Sequence, residues 1–109
     1  MKLLTKEIRA RLPALYYNEV NKIPTQDIVA HVHYFAVWSS WSWWICEYDG
    51  DDLFYGFVVG HYPEWGYTSL AELESVRGPG GLGIERDLHF VPAKMHIAVP
   101  EYFTQRGQR

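Results

Sequence analysis

His31 and His33 stand two residues apart in the run IVAHVHYFAV, which on an extended strand puts both imidazoles on one face. Such a pair, with a carboxylate from a neighbouring strand, is one way to build a metal centre, and Glu47 is the candidate third ligand. His61, His89 and His96 fall at no spacing that completes a ligand set. The pattern favours a structural or surface role for the pair, and predicts no bound metal or other cofactor. Cys46 is the single cysteine, so the chain forms no internal disulfide and no four-thiolate site. Beside a histidine it could form a nucleophile pair; in the middle of a strand it reads as a small packed apolar residue. Glu85 and Asp87 would share one strand face, with Arg86 on the other. Acid–base work by that pair would need a partner nucleophile that is not evident, so an exposed edge or an Arg86–carboxylate ion pair is favoured.

The glycines of VRGPGGLG, at 78, 80, 81 and 83, raise the question of a phosphate-binding loop. Such loops precede a helix, whose first amides face the anion. Here the order is reversed. Ser69-Leu70-Ala71-Glu72 fits a capping box that starts a helix, Leu70, Leu73 and Val76 give it an apolar stripe, and Arg77 suits its last turn. Gly78 is expected to close the helix with a left-handed conformation, followed by Pro79. No Gly-Lys-Ser or Gly-Lys-Thr completes a P-loop. The cluster reads as a helix stop and turn.

Five tryptophans are many for 109 residues. On a regular strand Trp41, Trp43 and Ile45 share one face, expected to be core, and Ser42, Trp44, Cys46 and Tyr48 the other. If helices cover only one side of the sheet, Trp44 and Tyr48 become partly exposed, as aromatic anchors of protein interfaces are, or as platforms for unpaired bases. With Trp65 and the acidic hairpin residues Asp49, Asp51 and Asp52, they form the candidate binding surface. The plainer reading is packing under a helix and a solvated turn.

The elements that must position these residues follow from periodicity. Thr5 is a candidate N-cap for a helix over 5–12, ended by Pro13. Residues 16–27 read as a connection. Strands are expected over 28–37, 41–48 and 53–60, with a Tyr48-Asp49-Gly50-Asp51 hairpin, then over 65–68 and 85–91. Both faces of 53–60 are apolar, which suits a strand covered on both sides. Met95–Val99 is a candidate edge strand, and Thr104–Arg109 is expected to fray. The fold class is therefore α+β, a mostly antiparallel sheet of four to six strands with two short helices. It reads as a single domain over 1–109, with its core in 3–92 and a tail from 93.

Ten Lys and Arg against thirteen Asp and Glu give a net charge of -3, so there is no basic field to hold duplex DNA. No apolar run reaches transmembrane length and no signal peptide opens the chain, so a cytoplasmic setting is expected.

The blocks LLTKEI…LP, WSWWICEYDGDDLFYGFVVG and EWGYTSLAELESVRGPGGLGIERDLHF, in that order, resemble the family called domain of unknown function 2958. The resemblance covers roughly residues 1–92. It departs at EWGYT, where the family tends to ELGYF, at GPGGLG, where it tends to GPLGLP, and after Pro92. It implies a small protein of plasmids, integrative elements or phages, often near genes that counter host defence, and carries over no catalytic residue. The expected function is a non-enzymatic accessory protein that binds another protein, in the manner of an anti-restriction or anti-CRISPR inhibitor. The alternatives are a single-stranded nucleic-acid binder using aromatic strands, and an enzyme built on His31, His33 and Glu47.

Overall fold

The computed structural model describes residues 1–104; the end expected to fray lies, from residue 105 on, outside the described residues. The chain is an α+β protein. Its frame is an antiparallel sheet in the order β5-β4-β3-β2-β6, formed by Pro63–Ser69, Leu53–Val59, Ser42–Tyr48, Val32–Ala36 and Ile84–Arg86. A two-stranded ribbon pairs β1 (Val29–Ala30) with β7 (Ala93–Lys94).

The local signals at the helix starts are realised. The Thr5 hydroxyl accepts from the Ile8 amide at 3.2 Å and opens α1, Lys6–Arg11. The Ser69 hydroxyl accepts from the Glu72 amide at 3.1 Å and opens α3, Leu70–Ser75. Two one-turn helices add to the two expected: α2, Tyr17–Val20, and α4, Met95–Ala98. The latter corrects the edge strand expected over Met95–Val99. A short apolar run fits either period, and here Val99 N–H closes a helical turn on the Met95 carbonyl.

The strand expected over 28–37 divides at His31. Its amide still donates to the Ile45 carbonyl of β3 at 2.8 Å, but the partner on its other side changes from β7 to β6. The strand expected over 85–91 stops at Arg86, because the Asp87 carboxylate accepts from the His89 amide at 3.0 Å and folds the chain into a turn. Arg86 donates to the Lys2 carbonyl rather than to a carboxylate, and so ties down the N-terminus.

Both faces of the sheet are covered. On one, Leu3, Ile8 and Leu73, from the N-terminal segment, α1 and α3, pack on Tyr34, Trp43, Ile45 and Phe54. On the other, Ile28, Met95, Val99 and Phe103 pack on Ala30, Cys46 and Phe57. The segment after Pro92 thus supplies three core residues.

Between Ile45 and Glu47 the β3–β4 register slips by one residue: Ile45 opposes Gly56, and Glu47 opposes Tyr55. Cys46 is the extra residue of a β-bulge, which reverses the side-chain alternation beyond it. Tyr48 therefore joins the face of Trp43 and Ile45, and Glu47 follows Cys46 onto the opposite one.

Gly78 corrects a further expectation. Its φ is −99°, and α3 has already ended at Ser75, before Arg77. The left-handed residues of the turn are Gly80 (φ 70°) and Gly81 (φ 79°). What Gly78 provides is close approach, since a Cβ there would lie 2.3 Å from the Trp38 ring.

Candidate functional site

The bulge brings Glu47 against residues 16–18. Glu47 is 3% exposed. One carboxylate oxygen accepts from the Tyr16 amide at 2.8 Å; the other accepts from the Asn18 amide at 3.0 Å and the Asn18 side-chain amide at 2.7 Å. To aim its amide, Tyr16 takes a left-handed conformation, φ 71°, which costs a residue with a side chain about 1–3 kcal/mol. Three charge-assisted hydrogen bonds are of the size to hold it there.

Above Glu47 opens a cavity of about 270 Å³, walled by Tyr16, Asn18, Glu19, Tyr55 and Tyr67, with Ile23, Thr25 and Ile28 at its apolar side. Tyr55 and Tyr67 are opposed on β4 and β5, with ring centroids 5.0 Å apart. A hydrogen bond to the Tyr16 side chain, followed by desolvation and the nearby tyrosines and Glu47, pushes the Tyr67 hydroxyl up to about 12. Burial first, then the charge of Glu47, with Cys46 and Glu19 behind it, raises Tyr55. Both phenols are therefore neutral hydrogen-bonding groups at physiological pH.

The cavity borders β5, the open edge of the sheet. Among the described residues no further strand pairs with β5. On the other face of β5 lies a wider groove of about 450 Å³, walled by Trp41, Trp43, Leu73 and Val76 with Gly66 in its floor.

The residues singled out from sequence do not converge. Trp65 is half-buried beside the cavity, stacked on Tyr55 at 5.7 Å and edge-on to Phe103. Trp44 is half-buried on the second core with His33 stacked on it at 4.5 Å. Tyr48 is only 4% exposed, which corrects the partial exposure expected of it: the bulge turns it inward, where Arg9 covers its ring at 5.3 Å. The acidic hairpin is engaged internally. Asp49 accepts from the amides of Asp51, Asp52 and Leu53, bonds that hold its carboxyl below the usual range. Asp52 accepts from the Ser69 hydroxyl and the Ala71 amide at the start of α3. Asp51 remains exposed, its carbonyl accepting from the Tyr48 hydroxyl.

His31, His33 and Glu47 are likewise separated. Among the described residues no group of three or more His, Cys, Asp and Glu is placed to hold a metal. His31 lies by Arg11; burial and then that charge lower its pKa, and its Nδ1 has no partner among the described residues. Cys46 is fully buried, which pushes its thiol well up.

His33 instead bridges Asp87, through Nδ1 at 3.1 Å, and Ser42, through Nε2 at 3.1 Å. No sequence spacing connects these three. Their order resembles a nucleophile relay, but Ser42 sits within a strand paired to Val59 and Phe35 on its two sides. The arrangement reads as a hydrogen-bonded tie between β2, β3 and the loop after β6.

The sequence model for "Protein of unknown function (DUF2958)" matches residues 3–105, nearly the whole chain. The chain belongs to the DUF2958 family. Neither the curated proteins nor the solved structures give a match. In this DUF2958 protein the cavity residues Tyr16, Asn18, Glu19, Tyr55 and Tyr67 carry no motif that marks them in the sequence. The available signals were the aromatic pair Tyr16-Tyr17 in a stretch that reads as a connection, and the i, i+2 spacing of Tyr55–Phe57 and Trp65–Tyr67.

Proposed function

We infer that this DUF2958 protein is a non-enzymatic binding protein that occupies a surface of another protein. One observation carries the reading: the seven-residue edge strand β5 lies open between two concavities, with Tyr62 exposed just before it and Tyr67 exposed along it. Open edges invite pairing with another chain unless they are blunted, and Pro63 and Glu64 blunt only the first residues of this one. Tyrosine and tryptophan beside an edge are the residues that anchor interfaces. Of the surface expected from sequence, Trp65 stays in this reading, while Trp44, Tyr48, Asp49 and Asp52 serve packing and caps.

The mobile-element setting implied by the sequence resemblance makes a cytoplasmic host-defence component, such as a restriction or CRISPR effector, the proposed class of partner. A single-stranded nucleic-acid role is disfavoured by the net charge of -3.

The test is affinity capture from a host extract with the wild type and with Tyr62→Ala/Tyr67→Ala, followed by Kd measurement on the purified pair. The double variant should weaken binding at least about tenfold, as loss of aromatic anchors does, with an unchanged melting temperature. A partner held equally well by both proteins would sink the reading.

A further inference from the structure

We propose that the cavity over Glu47 receives a cationic side chain, a lysine ammonium or arginine guanidinium, presented by the protein partner. The proposal rests on the protein-binding reading of the β5 edge and names what the partner inserts beside it.

Size is the first argument. About 270 Å³ is below the range of roughly 300–1,000 Å³ typical of drug-sized ligands. It suits one long side chain.

Charge is the second. Two carboxylates, Glu19 and Glu47, line the cavity, and no Lys, Arg or His does. Glu47 is almost fully buried, yet among the described residues no cation lies within ion-pair distance of it. Its hydrogen bonds are all from uncharged amides. An ionised carboxylate offers about four acceptor positions. Three are filled, and buried charge without a counter-ion is costly. A cation entering from the mouth would meet a carboxylate bonded only to uncharged amides, and the exposed Glu19 beside it.

Chemistry of the walls is the third. Three aromatic side chains, Tyr16, Tyr55 and Tyr67, line the same space. Cations sit over aromatic faces within about 6 Å of the ring centre, and cages of aromatic residues are a known way to hold them. Placing the cavity next to an edge strand fits a partner segment that pairs with β5 and turns one side chain inward.

The experiment uses the purified chain and amide-resolved NMR titration with three capped amino acids: N-acetyl-lysine methylamide, N-acetyl-arginine methylamide and the neutral N-acetyl-norleucine methylamide. A putrescine titration runs beside them. The lysine or arginine probe should shift the amides of Asn18, Glu19 and Tyr67, and norleucine should not. Tyr67→Ala and Glu19→Gln, both at exposed positions, should keep the wild-type melting curve and weaken the probe about two- to fivefold, the size of one exposed cation–π or charge contact. Equal binding of norleucine overturns the proposal. So does putrescine binding about tenfold tighter than either capped residue, which would make a free amine the ligand. A partner captured through Tyr62 and Tyr67 while no cationic probe binds overturns this inference and leaves the binding reading standing. If the probes bind but the Tyr62→Ala/Tyr67→Ala pair leaves partner affinity unchanged, the binding reading falls, and with it the partner as the source of the cation.

Discussion

Gly78→Ala separates two reasons for keeping a glycine. At φ −99° and ψ −163° its backbone is open to any residue, so alanine carries no conformational penalty there. The obstacle is the Trp38 indole: an added Cβ falls 2.3, 2.4 and 2.7 Å from its Cδ2, Cε2 and Cε3. Each separation is well inside the ~3.5–4.0 Å optimum for carbon contacts, so the ring or the turn must move. Overpacking of this kind costs about 1–3 kcal/mol. Trp38 is only half-buried and borders a cavity of about 270 Å³ between Ala36, Trp41 and Ile84, which places the expected cost near the lower end, about 1–2 kcal/mol. Gly80 is the opposite case. Its φ is 70° and a Cβ there meets nothing within 4 Å, so Gly80→Ala carries only the left-handed penalty, about 1 kcal/mol.

The two costs are alike in size and differ in what relieves them. In a Trp38→Leu background the Gly78→Ala cost should vanish, while the Gly80→Ala cost persists. A coupling of about 1–2 kcal/mol is well above the ~0.3–0.5 kcal/mol within which independent sites add. Urea unfolding followed by far-ultraviolet circular dichroism reads all six proteins without relying on tryptophan emission, with equal m-values required for comparison. If Gly78→Ala costs the same in the Trp38→Leu background as in the wild type, the ring is not the reason for the glycine. If it costs nothing with Trp38 present, the turn yields freely and the close approach is incidental.

Glu47→Gln should lower stability by about 1–3 kcal/mol in the same assay, because its amide group must face one of the donors from Tyr16 or Asn18 and leave it unpaired. His31 makes stability fall with pH: its folded pKa is lowered, so the unfolded chain takes the proton first, and the stability present above about 6.5 is lost as pH falls through the folded value. Melting curves between pH 8 and 5 should show this loss in the wild type and a smaller one in His31→Phe. The Cys46 thiol, fully buried and with its pKa pushed up, should resist thiol reagents in the native protein and react stoichiometrically in urea.

What the sequence made legible was local. The Thr5 and Ser69 caps act within three residues of themselves, and the Asp49-Gly50 turn, with Gly50 at φ 88°, closes between two apolar strands. The hidden features depend on residues far apart in the chain. Trp38 reaches Gly78 across forty positions, which composition around either residue cannot signal. The run over 28–37, rich in β-branched and aromatic residues, divides at His31 because β7 and β6, from the far end of the chain, take turns beside it. Arg77 lies beyond its helix rather than in the last turn, yet still donates to the Glu74 and Val76 carbonyls, so its chemistry was legible and its position was not.

The bulge at Cys46 had the largest consequence. Strict alternation through WSWWICEY would have put Glu47 with Trp43 and Ile45, on the face packed by Leu3, Ile8, Tyr34 and Phe54. A carboxylate among those side chains would have lost its solvation with no donor to replace it. One extra residue exchanges the two ends of the problem. Tyr48, largely apolar, enters that face and keeps its hydroxyl at the rim, donating to the Asp51 carbonyl and accepting from Arg9. Glu47 moves to the face where residues 16–18 offer three N–H groups. The carboxylate holds Tyr16 and Asn18 there, and the cavity lies between the segment they begin and the tyrosines of β4 and β5. Bulges recur where a strand must re-aim a side chain. Among the described residues, the side chain so aimed is the most deeply buried charged one.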